Sequence, residues 1–226
     1  MNRMQRIWLN WRGLIYFAIL MLGFRAAIAD WYLVPTGSMK PTVLEGDYVF
    51  TNRLAYQLKF PFTDKVLAQW DVPRRGDIVV FDSPADGTRL LKRVVGLPGD
   101  IVQMSNNRVF INGQPLPYEV MDQTLANEVW SDIPAPLLVD EQLGDVHHIV
   151  ALRSDRYSSY QSFPAVKIPD GEYFMLGDNR DNSGDSRVFG TVPRELIAGR
   201  ASHVIVSLDW GGSYLPRGER SLRRLH

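Results

Sequence analysis

The stretch that decides the fold is LLKRVVGLPGD, residues 90–100. A strand-like run of branched apolar residues ends here at a Pro-Gly-Asp turn signal. Alternation along such a strand places Lys92 on the same face as Leu90 and Val94, with Arg93 on the opposite face. One of the two cations must therefore point toward apolar neighbours, unless the strand lies at a sheet edge with both charges in solvent.

Short apolar runs between turn signals recur along the chain and predict a mainly β fold. Asn112-Gly113 predicts a tight hairpin turn. The acidic, Pro-bearing stretch 123–145 is weakly patterned and predicts a loop or an excursion within a second lobe, and no long amphipathic helix is readable after the first thirty residues. Strands are predicted at 48–50, 78–81, 90–95, 101–104, 109–111, 173–176 and 203–207.

Composition excludes several functional classes. The 226 residues carry 25 Lys plus Arg against 25 Asp plus Glu, so the whole chain offers no net attraction to nucleic acid. The absence of cysteine excludes disulfides and a thiol nucleophile. Four histidines without an HExxH pair argue against a catalytic metal, so we expect no metal and no cofactor.

The N-terminal thirty residues differ in kind from the rest. Arg3, Arg6 and Arg12 precede the uncharged run 13–24, which predicts a membrane-directed segment with its basic side in the cytoplasm. The uncharged run is shorter than the roughly 20 residues that span a bilayer, and a span needs the flanking residues as well. A single transmembrane helix and a secretory signal cleaved after Ala27-Ile28-Ala29 both fit this pattern.

A nucleophile and a base can be chosen from the residues present. Without cysteine, an acyl-transfer enzyme would use serine, and Ser38 sits in the Pro- and Gly-containing stretch PTGSMKPT, residues 35–42. Such a tight loop can expose a hydroxyl beside backbone N–H groups, although an ordinary Pro-Gly turn has the same pattern. A buried Lys92 could titrate near neutrality and act as the base. His147 and His148 are the alternative, but they lie in a polar region with no partner indicated by spacing.

A third stretch, GDNRDNSGDSR at residues 177–187, is dense in hydrogen-bonding groups. It alternates Asp and Asn like a calcium loop but lacks the Glu that closes an EF-hand loop. A polar scaffold is the other interpretation. Ser183 could then orient a neutral lysine, while Asp185 and Arg187 could form a charge pair that holds the loop rigid.

Together these segments resemble the bacterial type I signal peptidases, which are membrane-anchored Ser-Lys endopeptidases. Residues 35–42 resemble the nucleophile box of that family, residues 92–100 its lysine box and residues 177–187 its third box, in the same order and at similar spacing. Residues 76–81 also match the strand that precedes the lysine box. The resemblance runs from about Tyr32 onward.

The resemblance implies specific roles. Ser38 would attack the scissile carbonyl after neutral Lys92 takes its proton, and the oxyanion would be held by the Ser38 backbone N–H and the Thr36 hydroxyl, where many members carry serine. The residues that would support the dyad are Ser183, Asp185, Arg187 and Arg93. The residues that would line shallow pockets for small side chains are Val34, Met39, Val43 and Leu91.

The implied function is cleavage of N-terminal signal (leader) peptides from exported preproteins after Ala-X-Ala-type sites. The partners would be preprotein signal peptides and membrane lipid, and the place the bacterial inner membrane, with one uncleaved anchor and an extracytoplasmic catalytic domain. Two alternatives remain: a maturation peptidase dedicated to a conjugation or secretion system, and a membrane-tethered relative that binds peptides without cleaving them. The implied division is residues 1–30 as anchor, 31–99 and 169–226 as catalytic β domain, and 100–168 as an inserted smaller β lobe.

The Arg-rich segment from residue 217 onward is predicted to be solvated, with contact to anionic lipid headgroups as the alternative. Its arginines are Arg217, Arg220, Arg223 and Arg224.

Overall fold

The computed structural model describes residues 3–60, 63, 65–130, 135–153, 161–210 and 212–225, with side chains from residue 10 onward. The described chain is mainly β, as the sequence predicts. Its helices are α1 (Arg3–Ala27), α2 (Thr124–Val129) and α3 (Ser186–Phe189). Its strands are β1 (Ala29–Leu33), β2 (Asp47–Asn52), β3 (Gln57–Lys59), β4 (Val66–Gln69), β5 (Ile78–Asp82), β6 (Arg89–Gly96), β7 (Ile101–Ser105), β8 (Arg108–Ile111), β9 (Gln114–Pro115), β10 (Tyr118–Val120), β11 (Leu137–Leu143), β12 (Val146–Leu152), β13 (Phe163–Lys167), β14 (Glu172–Leu176), β15 (Val192–Pro193), β16 (Ile197–Ser207) and β17 (Arg223–Arg224).

The largest sheet is antiparallel, has eight strands and carries the candidate site. Its order is β1-β2-β16-β5-β6-β14-β15, with β17 beside β16. β5 lies near the middle and is buried over the continuous apolar run 78–81, which is typical of a strand covered on both faces. β6 pairs with β5 so that Lys92 lies opposite Val79. β1 lies at the edge of the sheet and pairs with β2.

Two smaller sheets lie between β6 and β14 in the chain. One has the order β10-β11-β12 and the other β13-β7-β8-β9, and both fall within residues 100–168, the predicted inserted lobe. Their apolar side chains share one core with the main sheet, so the two layers are packed together. The buried members of that core are Val95, Val102, Met104, Val109, Leu116, Leu143, Ile168, Phe174 and Leu176.

The Asn112-Gly113 hairpin is confirmed, with positive φ angles of 52° and 79° between β8 and β9. The loop predicted for residues 123–145 is wrong, because α2 and β11 form there, and His147 and His148 lie in β12. The sequence did not predict β11 because charged residues interrupt its apolar pattern. One of them, Glu141, is completely buried and occupies a core position.

The prediction of a solvated segment from residue 217 is confirmed for Arg223 and Arg224, which are exposed, and wrong for Arg217 and Arg220. Strand β17 of this segment pairs with β16, and Arg217 and Arg220 form ion pairs with the buried Asp47. Nothing in the linear sequence indicates that pairing, because the arginines and the carboxylate are far apart in the chain.

Helix α1 leads into β1 through Ile28 alone. The joint is held by Arg25, whose guanidinium donates to Asp30 Oδ1 at 2.6 Å and lies over the Trp31 ring, and by Arg53, whose backbone N–H donates to the Ile28 carbonyl. Among the helices of the described residues, none combines the length and apolar character needed to cross a membrane, so the transmembrane helix is not confirmed. The Arg3 and Arg6 side chains lie outside the described residues.

Candidate active site

Ser38 lies in a short 3₁₀ turn, Gly37–Met39, between β1 and β2. The turn is held by Asn179, whose side-chain amide donates to the Gly37 carbonyl at 3.0 Å and whose backbone N–H donates to the Ser38 carbonyl at 3.1 Å. Ser38 itself is half-buried. The third polar stretch therefore fixes the backbone of the turn that carries Ser38, the candidate nucleophile, and Ser38 stays partly open to solvent.

Lys92 reaches this serine from β6. Its Nζ donates to Ser38 Oγ at 2.7 Å and to the Leu91 carbonyl at 3.0 Å. The residue is only 2% exposed. A buried amine therefore points directly at a hydroxyl, which is the arrangement that a nucleophile and its base require.

Burial lowers the pKa of Lys92 from 10.5 to about 8. Loss of hydration is the largest cause, since it disfavours the ammonium form. The carboxylates of Asp185 and Asp178 oppose the shift, and Arg187 adds to it. The neutral amine that can accept a proton is thus populated near the pH at which proteins work.

Arg93, the next residue on β6, is also buried but stays paired. Its Nε and Nη2 donate to the two carboxylate oxygens of Asp178 at 2.9 and 2.8 Å, and its Nη1 donates to the Gly76 carbonyl at 2.8 Å. Burial alone would raise the pKa of Asp178, but Arg93, with smaller contributions from His148 and Thr42, outweighs it and holds that pKa below the usual range. The Thr42 hydroxyl also donates to Asp178 Oδ2 at 2.6 Å, so this carboxylate ties the lysine strand to the nucleophile loop.

The third stretch is organised around Asp185. This carboxylate accepts from Arg187 Nη2 at 2.7 Å and from the Gly177 backbone N–H at 3.0 Å. Ser183 Oγ is buried without a hydrogen-bond partner among the described residues, so the expected Ser183–Lys92 hydrogen bond is not formed. Arginine and backbone donors occupy the Asp185 carboxylate, and the described residues contain no acidic or histidine cluster shaped for a metal.

The four predicted pocket residues come together in one place. Val34, Met39 and Val43 are buried members of one apolar cluster, and the half-buried Leu91 packs against it. Met39 directly follows Ser38, so this cluster lies beside the candidate nucleophile. Its packed apolar side chains suit contact with an apolar side chain of a substrate rather than a charged one.

Thr36 stands two residues before Ser38, is exposed and has an extended backbone, with φ of −132° and ψ of 151°. Its hydroxyl makes no cap hydrogen bond to the following turn. The part assigned to it in binding an oxyanion remains a prediction.

A buried charged network was missed by the sequence reasoning. Arg180 Nη2 and Nη1 donate to the two oxygens of Glu141 at 2.5 and 2.8 Å, and the Tyr118 hydroxyl donates to the same carboxylate. His148 Nε2 lies 3.2 Å from Glu141 Oε1. The pKa of His148 is lowered mainly by burial and, to a smaller extent, by the positive charge of the nearby Arg93. Arg180 belongs to the quoted third stretch, but no signal in the sequence identifies its partner.

Comparisons with known proteins agree on one family. The family model described as "Signal peptidase, peptidase S26" matches residues 8–206. Signal peptidase I of Pseudomonas fluorescens is 38% identical, and that of Pseudomonas aeruginosa 35% identical, each over 85% of this chain and 69% of the relative. Signal peptidase I of Buchnera aphidicola is 31% identical over 91% of this chain and 76% of the relative.

A crystal structure of a signal peptidase I from Enterococcus faecalis is 30% identical, covering 57% of this chain and 95% of that chain with a TM-score of 0.35, a value that supports no argument about the fold. The family match spans most of the chain, and the relatives match over most of their own length. The chain therefore belongs to the signal peptidase family, peptidase S26, and is a serine endopeptidase.

Proposed function

We propose that this protein removes N-terminal signal peptides from exported preproteins by a Ser38-Lys92 dyad. The observation that carries the proposal is the 2.7 Å hydrogen bond from Lys92 Nζ to Ser38 Oγ, made by an amine that is buried and has a pKa near 8. A lysine with an ordinary pKa would stay protonated and could not take the serine proton.

The proposed reaction has two steps. Neutral Lys92 takes the Ser38 proton while Oγ attacks the scissile carbonyl, and the resulting ammonium then protonates the leaving amine, which leaves an acyl-enzyme. Water, deprotonated by the same amine, hydrolyses the ester and returns Ser38. The Ser38 backbone N–H and the Thr36 hydroxyl would hold the oxyanion, while Arg93, Asp185 and Arg187 keep the surroundings of the lysine rigid.

The proposed substrate is an extended peptide with small residues at the first and third positions before the cut. The cluster of Val34, Met39, Val43 and Leu91 supports this, because close-packed apolar side chains beside Ser38 can move aside little for a large side chain. The edge position of β1 supports strand addition, in which backbone hydrogen bonds hold a peptide regardless of its other side chains.

The proposed location is the bacterial inner membrane, with α1 as an uncleaved anchor, the basic N-terminus in the cytoplasm and the β body outside it. The Arg-rich start of the chain supports this orientation. Fractionation of the full chain with alkaline extraction tests it, and recovery of the whole protein in the extracted aqueous phase would contradict it.

The decisive test is processing of several unrelated preproteins in detergent, with the product N-terminus read by mass spectrometry. Wild type is expected to cut after Ala-X-Ala sites, and Ser38→Ala or Lys92→Ala to lower the rate by roughly 10⁴-fold or more. Lys167→Ala, which removes an exposed strand lysine, is the matched control and should keep full activity. Full activity in either dyad variant would overturn the proposal, and cleavage of one preprotein alone would favour a dedicated maturation peptidase.

A further inference from the structure

A strap of residues 217–225 lies beyond residues 8–206, the part that matches the family model. The strap is well anchored. Its β17 pairs with β16, and the Leu225 backbone N–H donates to the Ser202 carbonyl at 2.9 Å. It therefore runs along the same strand that pairs with β2 and β5 in the main sheet.

The strap is clamped onto Asp47, a fully buried carboxylate at the start of β2. Arg220 Nη2 donates to Asp47 Oδ2 at 2.9 Å, and Arg217 Nη2 lies 3.5 Å from Oδ1. The Ser207 hydroxyl donates to Oδ1 at 2.5 Å. A buried carboxylate is tolerated only when it is paired in this way, so the two arginines are fixed in place.

The same groups hold the loop that follows the nucleophile. Arg220 Nη2 also donates to the Thr42 carbonyl at 3.1 Å, and Arg217 Nη2 donates to the Glu45 carbonyl at 2.5 Å. Asp47 Oδ2 accepts from the Leu44 backbone N–H at 2.9 Å. The strap thus holds residues 42–47 from one side, while Asp178 holds Thr42 from the other.

Leu225, the last described residue of the strap, belongs to the apolar cluster that contains the predicted pocket residues. It is 8% exposed and packs in the apolar cluster that contains Met39, Val43 and Val34. An apolar side chain from outside the family match therefore belongs to the same packed cluster as the residues assigned to substrate binding.

We propose that Leu225 is a positioning residue for substrate selection: by supporting Met39 and Val43 from behind, it limits the size of the side chain accepted just before the cut. The proposal rests on the proposed function, because it needs that pocket to bind signal peptides. Protein interiors are close-packed, so a side chain behind a pocket wall sets how far the wall can retreat.

Shortening Leu225 tests this directly. Leu225→Ala removes buried volume from this cluster, and we expect the flexible Met39 side chain to shift into the space and deepen the pocket. Two preprotein substrates that differ only in Ala or Val at the residue before the cut are compared by their kcat/KM values. We expect the Ala-to-Val ratio to fall by about tenfold or more, since each methylene in an apolar pocket changes discrimination by that order.

The ratio does not depend on the fraction of folded enzyme, so a destabilised variant still reports selectivity. Leu225→Val gives the same test with a smaller change if Leu225→Ala does not fold. Leu116→Ala is the matched control, because Leu116 is equally buried, at 8%, but belongs to the core of the smaller sheets. A Leu225→Ala ratio equal to that of Leu116→Ala overturns the proposal. If the wild-type protein does not cleave the preproteins, or if Ser38→Ala does, the proposed function itself is contradicted.

Discussion

Two adjacent cations of β6, Lys92 and Arg93, are buried in different ways. Arg93 has a bidentate carboxylate partner in Asp178, while the Lys92 amine donates to the neutral oxygens of Ser38 and Leu91. The strand alternation predicted one buried cation, and the structure has two. The resemblance named Arg93 as a supporting residue, but its burial and its partner could not be predicted from the alternation, because Asp178 lies 85 residues away in the chain.

Burial of the Lys92 amine is expected to lower the stability of the protein while it makes the amine available as a base. The Lys92 pKa is about 8 in the folded chain and 10.5 when solvated, so the folded state binds this proton less well. Below pH 8 the difference costs up to about 3 kcal/mol of stability, and the cost disappears as pH rises from about 8 to 10.5, where the folded state has released its proton and the unfolded state still holds it.

Lys92→Met is therefore expected to abolish cleavage and to raise the free energy of unfolding at pH 7 by up to about 3 kcal/mol. Denaturant unfolding at several pH values between 7 and 10.5 measures this, and the advantage of the variant should shrink as the pH rises. Lys167→Met, on an exposed strand position, is the control. A gain that stays constant with pH would show that Lys92 is not the titrating group.

At the scale of elements, the end of β14 meets the nucleophile turn at Gly177. A Cβ built on Gly177 would stand 2.5 Å from the Ser38 carbonyl oxygen and would collide with Ser183 Oγ. Glycine is required here by close approach of two chain segments rather than by a turn.

Gly177→Ala is expected to displace the nucleophile turn, to lower kcat by roughly 100-fold and to cost about 1–3 kcal/mol of stability. Kinetics of preprotein cleavage and thermal unfolding measure the two effects. Gly184→Ala lies in the same stretch with nothing within 4 Å of its Cβ and is the matched control. If Gly177→Ala and Gly184→Ala have equal kcat values, the close approach at Gly177 is not needed for activity.

Two of the segments that the sequence missed, β11 and the strap, differ in one respect from the strands that it predicted. β5 and β6 show runs of branched apolar residues, and both were found. β11 and the strap carry charges that become buried by pairing, Glu141 with Arg180 and Arg220 with Asp47. Periodicity assumes that charge marks the surface, so long-range ion pairs inside the protein hide such elements.

At the scale of the whole molecule, the smaller sheets and the catalytic stretch are joined by charge as well as by apolar packing. Glu141 of β11 is completely buried against Arg180 of the third stretch, and the pKa of Glu141 is depressed because Arg180 and His148 outweigh its burial. The resemblance stated from the sequence gave the order of the three boxes, but it could not show this contact between them and the inserted residues.

Glu141→Gln is expected to destabilise the protein by about 3 kcal/mol, because it leaves the Arg180 guanidinium buried without its counter-charge. Thermal or denaturant unfolding of the full chain measures the loss. Asp82→Asn breaks the exposed ion pair with Arg89 and should cost less than about 1 kcal/mol. Similar losses in the two variants would mean that the buried pair contributes no more than a surface one.

The joint between α1 and β1 has a mechanical consequence. A single residue, Ile28, separates the helix from the strand at the sheet edge, and Arg25, Asp30 and Arg53 fasten the two together. There is no slack of the kind a flexible linker provides. A tilt of the helix therefore turns the edge strand β1 with it, so the orientation of α1 also sets the orientation of the strand that leads to Ser38.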